Sequence, residues 1–394
     1  MALAQGDMPV SRWTALSERW LTWRDRLLAS PMFQRRAAAF ALTRPVARRH
    51  ARELFDLVAG FVYSQVLLAC VRLDLFNILA EGPQSPQQLA VRLELPPESM
   101  LRLLNAAVAL RLAEPRAQGR YGLGELGAPM VGNTAVAAMV EHHGALYADL
   151  ADPVALLKAA PATRGEPALA RYWPYAGAST PGDLAPERVA AYSDLMAASQ
   201  PLVSDEILDA CPLNGHRCLL DVGGGDGTFL VSAARRAPHL RLMLFDLPAV
   251  ADRARERLSA HGLGHRAHIV GGSFLHDPLP EGADIASLVR VVHDHDDEAA
   301  MAILRAVRRA LPPGGSLLLA EPMSGAPGAQ AMGDAYFGFY LLAMGRGRPR
   351  RVDELIRMLG DAGFAAIRVL PTRMPLQTSV LLARCPTVAA KSLM

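Results

Sequence analysis

The chain has 394 residues, of which 51% are apolar, and is long enough for two domains with hydrophobic cores. Its net charge of only +3 argues against nucleic acid as a general partner. The four cysteines form no Cys-x-x-Cys pair, so the sequence predicts no disulfide framework, no metal site and a reducing, cytoplasmic setting.

Residues 1–56 form a basic extension at the start of the chain. It contains ten arginines against five acidic residues, and three of the four tryptophans. Two interpretations stay open: a helix that lies on an anionic membrane surface, and a helix that packs on another subunit. Apolar residues recur at intervals of three and four, which predicts one helix face made of Trp13, Leu16, Trp20, Trp23 and Leu27.

The sequence predicts neither a targeting segment nor a membrane-spanning one. The first residues lack the basic-then-apolar pattern of a signal peptide. The longest apolar run, 57–71, is interrupted by polar residues and is predicted to be too short to cross a bilayer. Any membrane contact is therefore expected to be peripheral.

Residues 57–150 are predicted to form a winged-helix-like unit. Ser85 is placed to cap one helix, with Pro86 in its first turn, and a second helix follows. Two short segments, 112–114 and 119–123, resemble the strands of a wing. The second helix offers few basic residues for phosphate contacts, so the unit is predicted to pack against protein and not to bind DNA.

Residues 151–214 are predicted to be a helical connector that walls a substrate pocket, and 215–394 an α/β domain. In the α/β domain apolar runs alternate with helical patterns, which predicts a doubly wound sheet with ligands at the carboxyl ends of its strands. Strands are expected near 218–222, 240–246, 267–271, 284–292, 315–321, 364–370 and 377–384.

A glycine-rich turn follows the first of these strands. Its pattern at 221–227 is Asp-x-Gly-x-Gly-x-Gly. Glycine lets the backbone turn sharply and lets a ligand approach closely. The Gly-x-Gly-x-x-Gly fingerprint of dinucleotide sites fails in both frames, and no Gly-Lys-Ser/Thr phosphate loop follows. The pattern resembles the first motif of class I S-adenosylmethionine-dependent methyltransferases, with a decayed dinucleotide site or a structural turn as alternatives.

Two carboxylates and a histidine are predicted to lie on the same rim of the sheet. Asp246 ends the second strand, where it can accept hydrogen bonds from ribose hydroxyls or cap a helix. His293 follows the fourth strand and suits removal of a hydroxyl proton near neutral pH; a metal ligand or a surface histidine are the alternatives. Glu321 ends the fifth strand and can orient the imidazole or cap the next segment.

These motifs resemble the small-molecule O-methyltransferase family of plant phenolic and bacterial secondary-metabolite enzymes. The resemblance implies S-adenosyl-L-methionine as cofactor, a Rossmann-like methyltransferase domain, and a winged-helix-like domain that makes a homodimer. It covers 57–385 and is carried by Asp-Val-Gly-Gly-Gly-Asp-Gly at 221–227, Phe-Asp-Leu-Pro at 245–248, Gly-Gly-Ser-Phe at 271–274, Arg-Val-Val-His-Asp at 290–294, Pro-Pro-Gly-Gly at 312–315 and Ala-Glu-Pro at 320–322.

The same resemblance implies roles for individual residues. His293 matches the family's catalytic base, and Glu321 matches the carboxylate that orients it. The positions that match cofactor contacts are Asp221, Gly223, Gly225, Asp246, Leu247, Gly272, Ser273, Phe274 and Arg290.

Two positions depart from the family pattern. Ser273 stands where the family often has aspartate, which implies that the contact with the adenine amino group is weakened or is replaced by one through water. A second glutamate that supports the base is expected near Arg348 or Pro349, and neither residue is acidic. The sequence therefore predicts one carboxylate partner for the base.

The whole chain resembles a narrower group, the acyclic carotenoid hydroxyl O-methyltransferases of purple photosynthetic bacteria, through its length and its basic extension. That likeness implies methyl transfer to the tertiary 1-hydroxyl of a hydrophobic carotenoid, and a peripheral contact with the inner, photosynthetic membrane. Alternative acceptors are a bacteriochlorophyllide and an aromatic or polyketide hydroxyl. A DNA-binding regulator with a vestigial methyltransferase domain and a dehydrogenase are the alternatives from other classes.

Overall fold

The computed structural model describes residues 12–159, 168–169, 200–201, 203–374 and 378–387. The chain divides into two compact units, Met1–Ala128 and Pro129–Met394. The first unit is helical with a small two-stranded sheet, and the second is built on a large mixed sheet.

Three helices open the first unit: α1 (Arg12–Ala29), α2 (Pro31–Ala39) and α3 (Arg44–Arg72). Ser30 caps α2, because its side chain accepts a hydrogen bond from the backbone N–H of Phe33. A proline in the first turn, where a backbone N–H has no helical partner, favours the same start.

The apolar face predicted for α1 is exposed in the single chain. Trp13 is 82% exposed, Trp20 57% and Trp23 58%. Large exposed tryptophans are uncommon on a surface that meets only water. The predicted helix itself is confirmed.

Among the described residues, α3 alone is long and apolar enough to cross a membrane by length and composition. The prediction drawn from 57–71 was wrong about length, because the helix begins at Arg44 and has 29 residues. Helices from the cores of soluble proteins and signal sequences pass the same test, so this helix is weak evidence for a span.

The remainder of the first unit has the predicted winged-helix-like pattern. Ser85 and Gln88 form a capping box at the start of the second of its helices. Arg111, one of the few basic residues near the third helix, forms an ion pair with Glu125. The elements are α4 (Leu75–Ala80), α5 (Pro86–Arg92), α6 (Pro97–Ala109) and the antiparallel pair β1 (Ala113–Pro115) and β2 (Tyr121–Leu123).

The second unit begins with helices and continues as alternating strands and helices. Its described helices are α7 (Thr134–Asp149), α8 (Pro153–Lys158), α9 (Thr228–Arg236), α10 (Pro248–Ala260), α11 (Asp297–Ala310), α12 (Phe337–Met344) and α13 (Val352–Asp361). Its strands are β3 (Cys218–Val222), β4 (Arg241–Asp246), β5 (Ala267–Gly271), β6 (Ile285–Val289), β7 (Ser316–Glu321), β8 (Ala365–Leu370) and β9 (Ser379–Arg384).

These seven strands confirm the predicted ones, and they form one sheet in the order β5-β4-β3-β6-β7-β9-β8. Neighbours from β5 to β7 are parallel, whereas β9 runs antiparallel to both β7 and β8. The chain leaves β3 first toward β4 and later returns to its other side at β6. This reversal opens a crevice at the carboxyl ends of β3 and β6, where doubly wound sheets bind their ligands.

Both faces of the sheet are buried at its central strands, β3, β6 and β7. Leu220 and Leu319 pack in one cluster with Ile303 of α11, while their neighbours Leu219 and Leu318 pack in the cluster on the other face. Strands covered on both sides consist of nearly continuous apolar residues, which is why their limits were readable in the sequence.

Candidate active site

The glycine turn after β3 lies next to the end of β4. Gly223, Gly225 and Gly227 have φ values of +67°, +59° and +83°, which side-chain-bearing residues rarely adopt. A Cβ at Gly223 would lie 2.8 Å from Val291, so packing also requires glycine there. A Cβ at Gly225 would meet no atom within 4 Å, so this glycine presents open space on one side.

Asp246 ties the glycine turn to the end of β4. Its carboxylate accepts hydrogen bonds from the backbone N–H groups of Gly225, at 2.8 Å, and Leu247, at 2.7 Å. Burial raises the pKa of Asp246 to about 6, and these two N–H groups oppose that rise. Leu247, not Asp246, is the N-cap of α10, and it makes no side-chain cap. The helix-cap alternative for Asp246 is therefore not what the structure contains.

Asp221 is a second acidic group beneath the turn. It is buried, and its Oδ1 accepts a hydrogen bond of 2.6 Å from the hydroxyl of Ser287. Burial raises the pKa of Asp221 to about 7, and the nearby charge of Asp246 adds to this. Oδ2 of Asp221 has no hydrogen-bond partner among the described residues. Two clustered carboxyl groups suit a cationic nucleoside better than the anionic pyrophosphate of a dinucleotide.

The segment after β5 completes this side of the rim. The N–H of Gly272 donates to the carbonyl of Asp246 at 2.9 Å, and a Cβ on Gly272 would lie 2.7 Å from the ring of Phe245. Ser273 donates its backbone N–H to Asp277, and the ring of Phe274 stands edge-on to His295. The structure thus brings the predicted 272–274 segment beside Asp246.

His293 lies in a short 3-10 turn, Val292–Asp294, directly after β6. Its Nδ1 is hydrogen-bonded to Oε2 of Glu321, the last residue of β7. The other oxygen of Glu321 accepts the N–H groups of Val291, at 3.1 Å, and Val292, at 2.7 Å. One buried carboxylate therefore fixes both the imidazole and the backbone that carries it.

A second carboxylate contacts the imidazole at its other nitrogen. Oδ1 of Asp294 lies 3.1 Å from Nε2 of His293, and both side chains are buried. Burial alone lowers the pKa of His293, but the negative charges of Asp294 and Glu321 outweigh it and leave that pKa raised. Burial raises the pKa of Asp294 to about 6. The prediction of a single carboxylate partner was wrong, because Asp294 lies beside His293 in sequence as well as in space.

Where a second glutamate was expected, arginines hold the loop instead. Arg348 pairs with Asp297 and Glu354, and its backbone N–H donates to the carbonyl of His293 at 2.9 Å. Arg350 is almost fully buried and donates to the carbonyls of Val292, at 2.8 Å, and His295, at 2.7 Å. Arg350 also pairs with Asp297. Sequence reasoning missed Arg350, since buried arginines are rare and backbone carbonyls leave no pattern in the sequence.

Arg290 links β6 to the glycine side of the rim. It has φ +56°, a strained conformation for a residue with a side chain, and its N–H donates to the carbonyl of Ala320 at 2.8 Å. Its guanidinium donates to Oε1 of Gln200 at 2.6 Å. Its predicted role as a cofactor contact stays a prediction.

Comparisons with known proteins agree with this geometry. A family model described as an O-methyltransferase domain matches residues 147–365, and one described as an O-methyltransferase dimerisation domain matches 55–140. The chain is 46% identical over 365 residues to a demethylspheroidene O-methyltransferase of Cereibacter sphaeroides, covering 92% of this chain and 95% of that protein. It is 42% identical over 342 residues to a protein of the same name from Rhodobacter capsulatus, covering 85% and 82%.

A solved structure supports the fold and the cofactor. The crystal structure of CalO1, a methyltransferase in calicheamicin biosynthesis with S-adenosylhomocysteine bound, has a TM-score of 0.72 and 25% identity, covering 86% of this chain and 98% of that one. The paired acids and the glycine turn fit S-adenosylmethionine, which carries an ammonium, a sulfonium and a ribose. With a family model that matches more than half of its length, this chain belongs to the S-adenosylmethionine-dependent O-methyltransferase family, with a class I methyltransferase fold and an N-terminal dimerisation domain.

Proposed function

We propose that this enzyme methylates the tertiary 1-hydroxyl of an acyclic carotenoid, with His293 as the base. The assignment of the base rests on one observation: His293 is buried between two carboxylates at the rim of the sheet. The choice of acceptor is supported by the two demethylspheroidene O-methyltransferases, which match along most of the chain. The exposed tryptophan face of α1 adds support, because a carotenoid resides in membranes.

The roles of the chain's residues follow from their contacts. When bound, S-adenosylmethionine would supply an electrophilic methyl group, whose bond to the sulfonium sulfur breaks on transfer and leaves the neutral thioether of S-adenosylhomocysteine. Glu321 accepts a hydrogen bond from Nδ1–H of His293, which leaves the lone pair of Nε2 to receive a proton. The acceptor's O–H bond breaks and its proton moves to Nε2. Asp294 and Glu321 then lie on either side of the imidazolium and stabilise its charge.

The nature of the hydroxyl limits what the base can do beforehand. A tertiary alkanol is a far weaker acid than a phenol, so its proton leaves as the new carbon–oxygen bond forms. Much of the rate then comes from holding the hydroxyl in line. The rigid attachment of His293 to β7 through Glu321 serves that need.

The acceptor is tested by product identification. Purified enzyme is incubated with methyl-labelled cofactor and, in separate reactions, a 1-hydroxy carotenoid in detergent, a bacteriochlorophyllide and a phenol. A labelled methyl ether of the carotenoid is the expected product. Preferential labelling of a bacteriochlorophyllide carbon or of the phenol would contradict the carotenoid as acceptor and identify the labelled compound instead.

The pH dependence of turnover should report the two carboxylates. His293 must be neutral to accept a proton, and its pKa is raised, so the acidic limb of kcat/KM should lie above the usual histidine range. Asp294→Asn removes one negative charge and should move that limb to lower pH. The measurement is kcat/KM from pH 5 to 9, with Glu298→Gln on the exposed start of α11 as control. If the acidic limb of kcat/KM in Asp294→Asn lies at the same pH as in the wild type, Asp294 does not raise the pKa of His293.

The basic extension is proposed to place a dimeric enzyme on the photosynthetic membrane from the cytoplasmic side. It lies largely outside both family models, because the dimerisation model begins at residue 55. Tryptophan prefers the headgroup level of a bilayer, and arginines on other sides of α1 favour anionic lipid. The dimerisation model supports a homodimer formed by the remainder of the first unit.

Deleting residues 1–30 tests this placement against packing on a subunit. The deletion should reduce sedimentation with anionic liposomes, because each arginine near such a surface contributes about 1 kcal/mol. Cofactor affinity should stay unchanged, and activity should fall more on membrane-embedded carotenoid than on detergent-dispersed carotenoid. A full-length double variant with alanine at Val369 and Met374, both exposed in the second unit, is the control.

Analytical ultracentrifugation separates the alternatives. If α1 packs on another subunit, the deletion should give monomers or insoluble protein without a selective loss on membranes. A stable dimer with undiminished liposome binding would contradict both assignments for α1.

A further inference from the structure

Three aromatic residues form a cluster beside the base, and we refer to Tyr336, Phe337 and Tyr340 as the aromatic cluster. The ring of Phe337 stands edge-on to the imidazole of His293, with centroids 5.9 Å apart and planes at 84°. Tyr336 and Tyr340 are stacked, with centroids 5.8 Å apart and planes at 26°. Phe337 meets Tyr336 edge-on at 5.1 Å, so the three rings make one continuous apolar surface.

Two consecutive histidines of α7 contact the phenol hydroxyls of the aromatic cluster. Nε2 of His143 lies 2.7 Å from the hydroxyl of Tyr336, and Nε2 of His142 lies 2.9 Å from the hydroxyl of Tyr340. Burial lowers the pKa of both histidines, that of His142 to about 4, so both are neutral at physiological pH. The hydroxyls are thereby engaged with uncharged partners, and the cluster carries no charge of its own.

The backbone that presents the cluster is irregular. A π-helical turn, Ala331–Tyr336, runs directly into α12, so Tyr336 ends the turn and Phe337 begins the helix. Asp334 anchors the turn by accepting hydrogen bonds from Ser324 and from the backbone N–H of Gly325. Such turns shift the register of the side chains that follow and are frequent at functional sites.

We propose that the aromatic cluster binds the hydrocarbon chain of the acceptor next to its hydroxyl-bearing carbon. This inference rests on the proposed function and names residues that determine acceptor specificity. A conjugated chain is flat, apolar and polarisable, and aromatic rings in van der Waals contact suit it. Phe337 contacts His293, and the reacting hydroxyl has to reach Nε2. The hydroxyl-bearing end of the hydrocarbon chain must therefore lie beside Phe337. His142 and His143 act as positioning residues, because they contact the tyrosine hydroxyls of the cluster and not the acceptor.

The first test replaces one ring of the cluster. Phe337→Leu should raise KM for a 1-hydroxy carotenoid by about fivefold to tenfold, with a smaller change in kcat, because a ring contact is lost while apolar volume is kept. Phe337→Tyr keeps the ring and should stay near the KM of the wild type. Phe339→Leu is the matched control, since Phe339 lies on the same helix and is 37% exposed.

The second test addresses the histidine–tyrosine pair. Tyr336→Phe and His143→Leu should each raise KM. The KM of the double variant should rise by less than the two single effects combined, because both substitutions remove the same contact. Affinity for S-adenosylhomocysteine, measured by calorimetry, should be unchanged in all variants. If the two effects on KM are fully additive, His143 does not act through Tyr336 and is not a positioning residue.

A binding measurement keeps this inference separate from the proposed function. An acyclic carotenoid hydrocarbon that lacks a hydroxyl cannot be methylated, and its binding to enzyme loaded with S-adenosylhomocysteine can be followed by its absorption shift. Weaker binding in Phe337→Leu than in Phe339→Leu supports the cluster even if wild-type enzyme fails to methylate the hydroxylated pigment, a failure that would reject the proposed function alone. Equal binding in both variants, or a loss of kcat without a change in KM, would overturn the assignment of the cluster.

Discussion

Replacing His293 by alanine is expected to lower turnover by roughly 10²–10⁴-fold, the usual contribution of a positioned general base. Affinity for S-adenosylhomocysteine should be retained, because the glycine turn and Asp246 are held by contacts that do not include the imidazole. Rapid-quench kinetics at saturating carotenoid and cofactor give the turnover, and calorimetry gives the affinity.

Two further variants define what the His293 result means. Glu321→Gln should lower turnover less, since an amide can still contact the imidazole but carries no charge to stabilise its protonated form. His261→Ala, at the exposed end of α10, should have no effect. Near-normal turnover in His293→Ala would leave positioning as the source of catalysis and remove the histidine as base.

Replacing Asp246 by alanine is expected to weaken S-adenosylhomocysteine binding by about 1.5–3 kcal/mol, the cost of losing a hydrogen bond to a charged group. That is roughly a 10- to 150-fold increase in the dissociation constant. The same carboxylate also accepts two backbone N–H groups, so thermal denaturation should be measured beside calorimetry to separate lost affinity from lost stability.

A glycine variant isolates the steric part of cofactor binding. At Gly225 a Cβ would meet only open space in the protein, so any clash in Gly225→Ala must be with the ligand. Gly262 provides a matched control, because it also has a positive φ, +71°, and no atom within 4 Å of a Cβ, but it lies at the end of α10. Both variants should lose similar stability from the left-handed backbone, about 1–2 kcal/mol.

Only Gly225→Ala should lose affinity for S-adenosylhomocysteine. If both glycine variants bind it as the wild type does, the turn does not contact the cofactor. If both lose affinity equally, backbone strain and not a clash explains the loss.

The strands β3 and β7 were predictable because they are buried on both faces and because a glycine follows β3 and an acidic residue ends β7. The run 218–222 illustrates this, since each of its residues is buried in the structure. The direction of β9 was not predictable, because an apolar run carries no sign of whether it pairs parallel or antiparallel. The rim residues Gly223, Asp246, His293 and Glu321 could be placed together by one rule, that the carboxyl ends of parallel strands share an edge.

The parts that sequence reasoning missed depend on contacts with no local pattern. Asp294 lies in an acidic stretch where any of several residues could face solvent, and only the 3-10 turn brings it to Nε2 of His293. The pairs of His142 with Tyr340 and His143 with Tyr336 join residues separated by 198 and 193 positions. Neither histidine has a spacing that marks it as functional.

The attachment of His293 has a consequence for how this enzyme can diverge. His293 is flanked by hydrogen bonds to main-chain groups: the N–H groups of Val291 and Val292, which donate to Glu321, and the carbonyls of Val292 and His295, which accept from Arg350. A substitution cannot delete a backbone carbonyl, and only proline deletes an N–H. Side chains around His293 can therefore be exchanged for others of similar volume while the imidazole keeps its place. New acceptors become reachable through such exchanges, with Glu321 and Arg350 as the two residues that must persist because they make these hydrogen bonds.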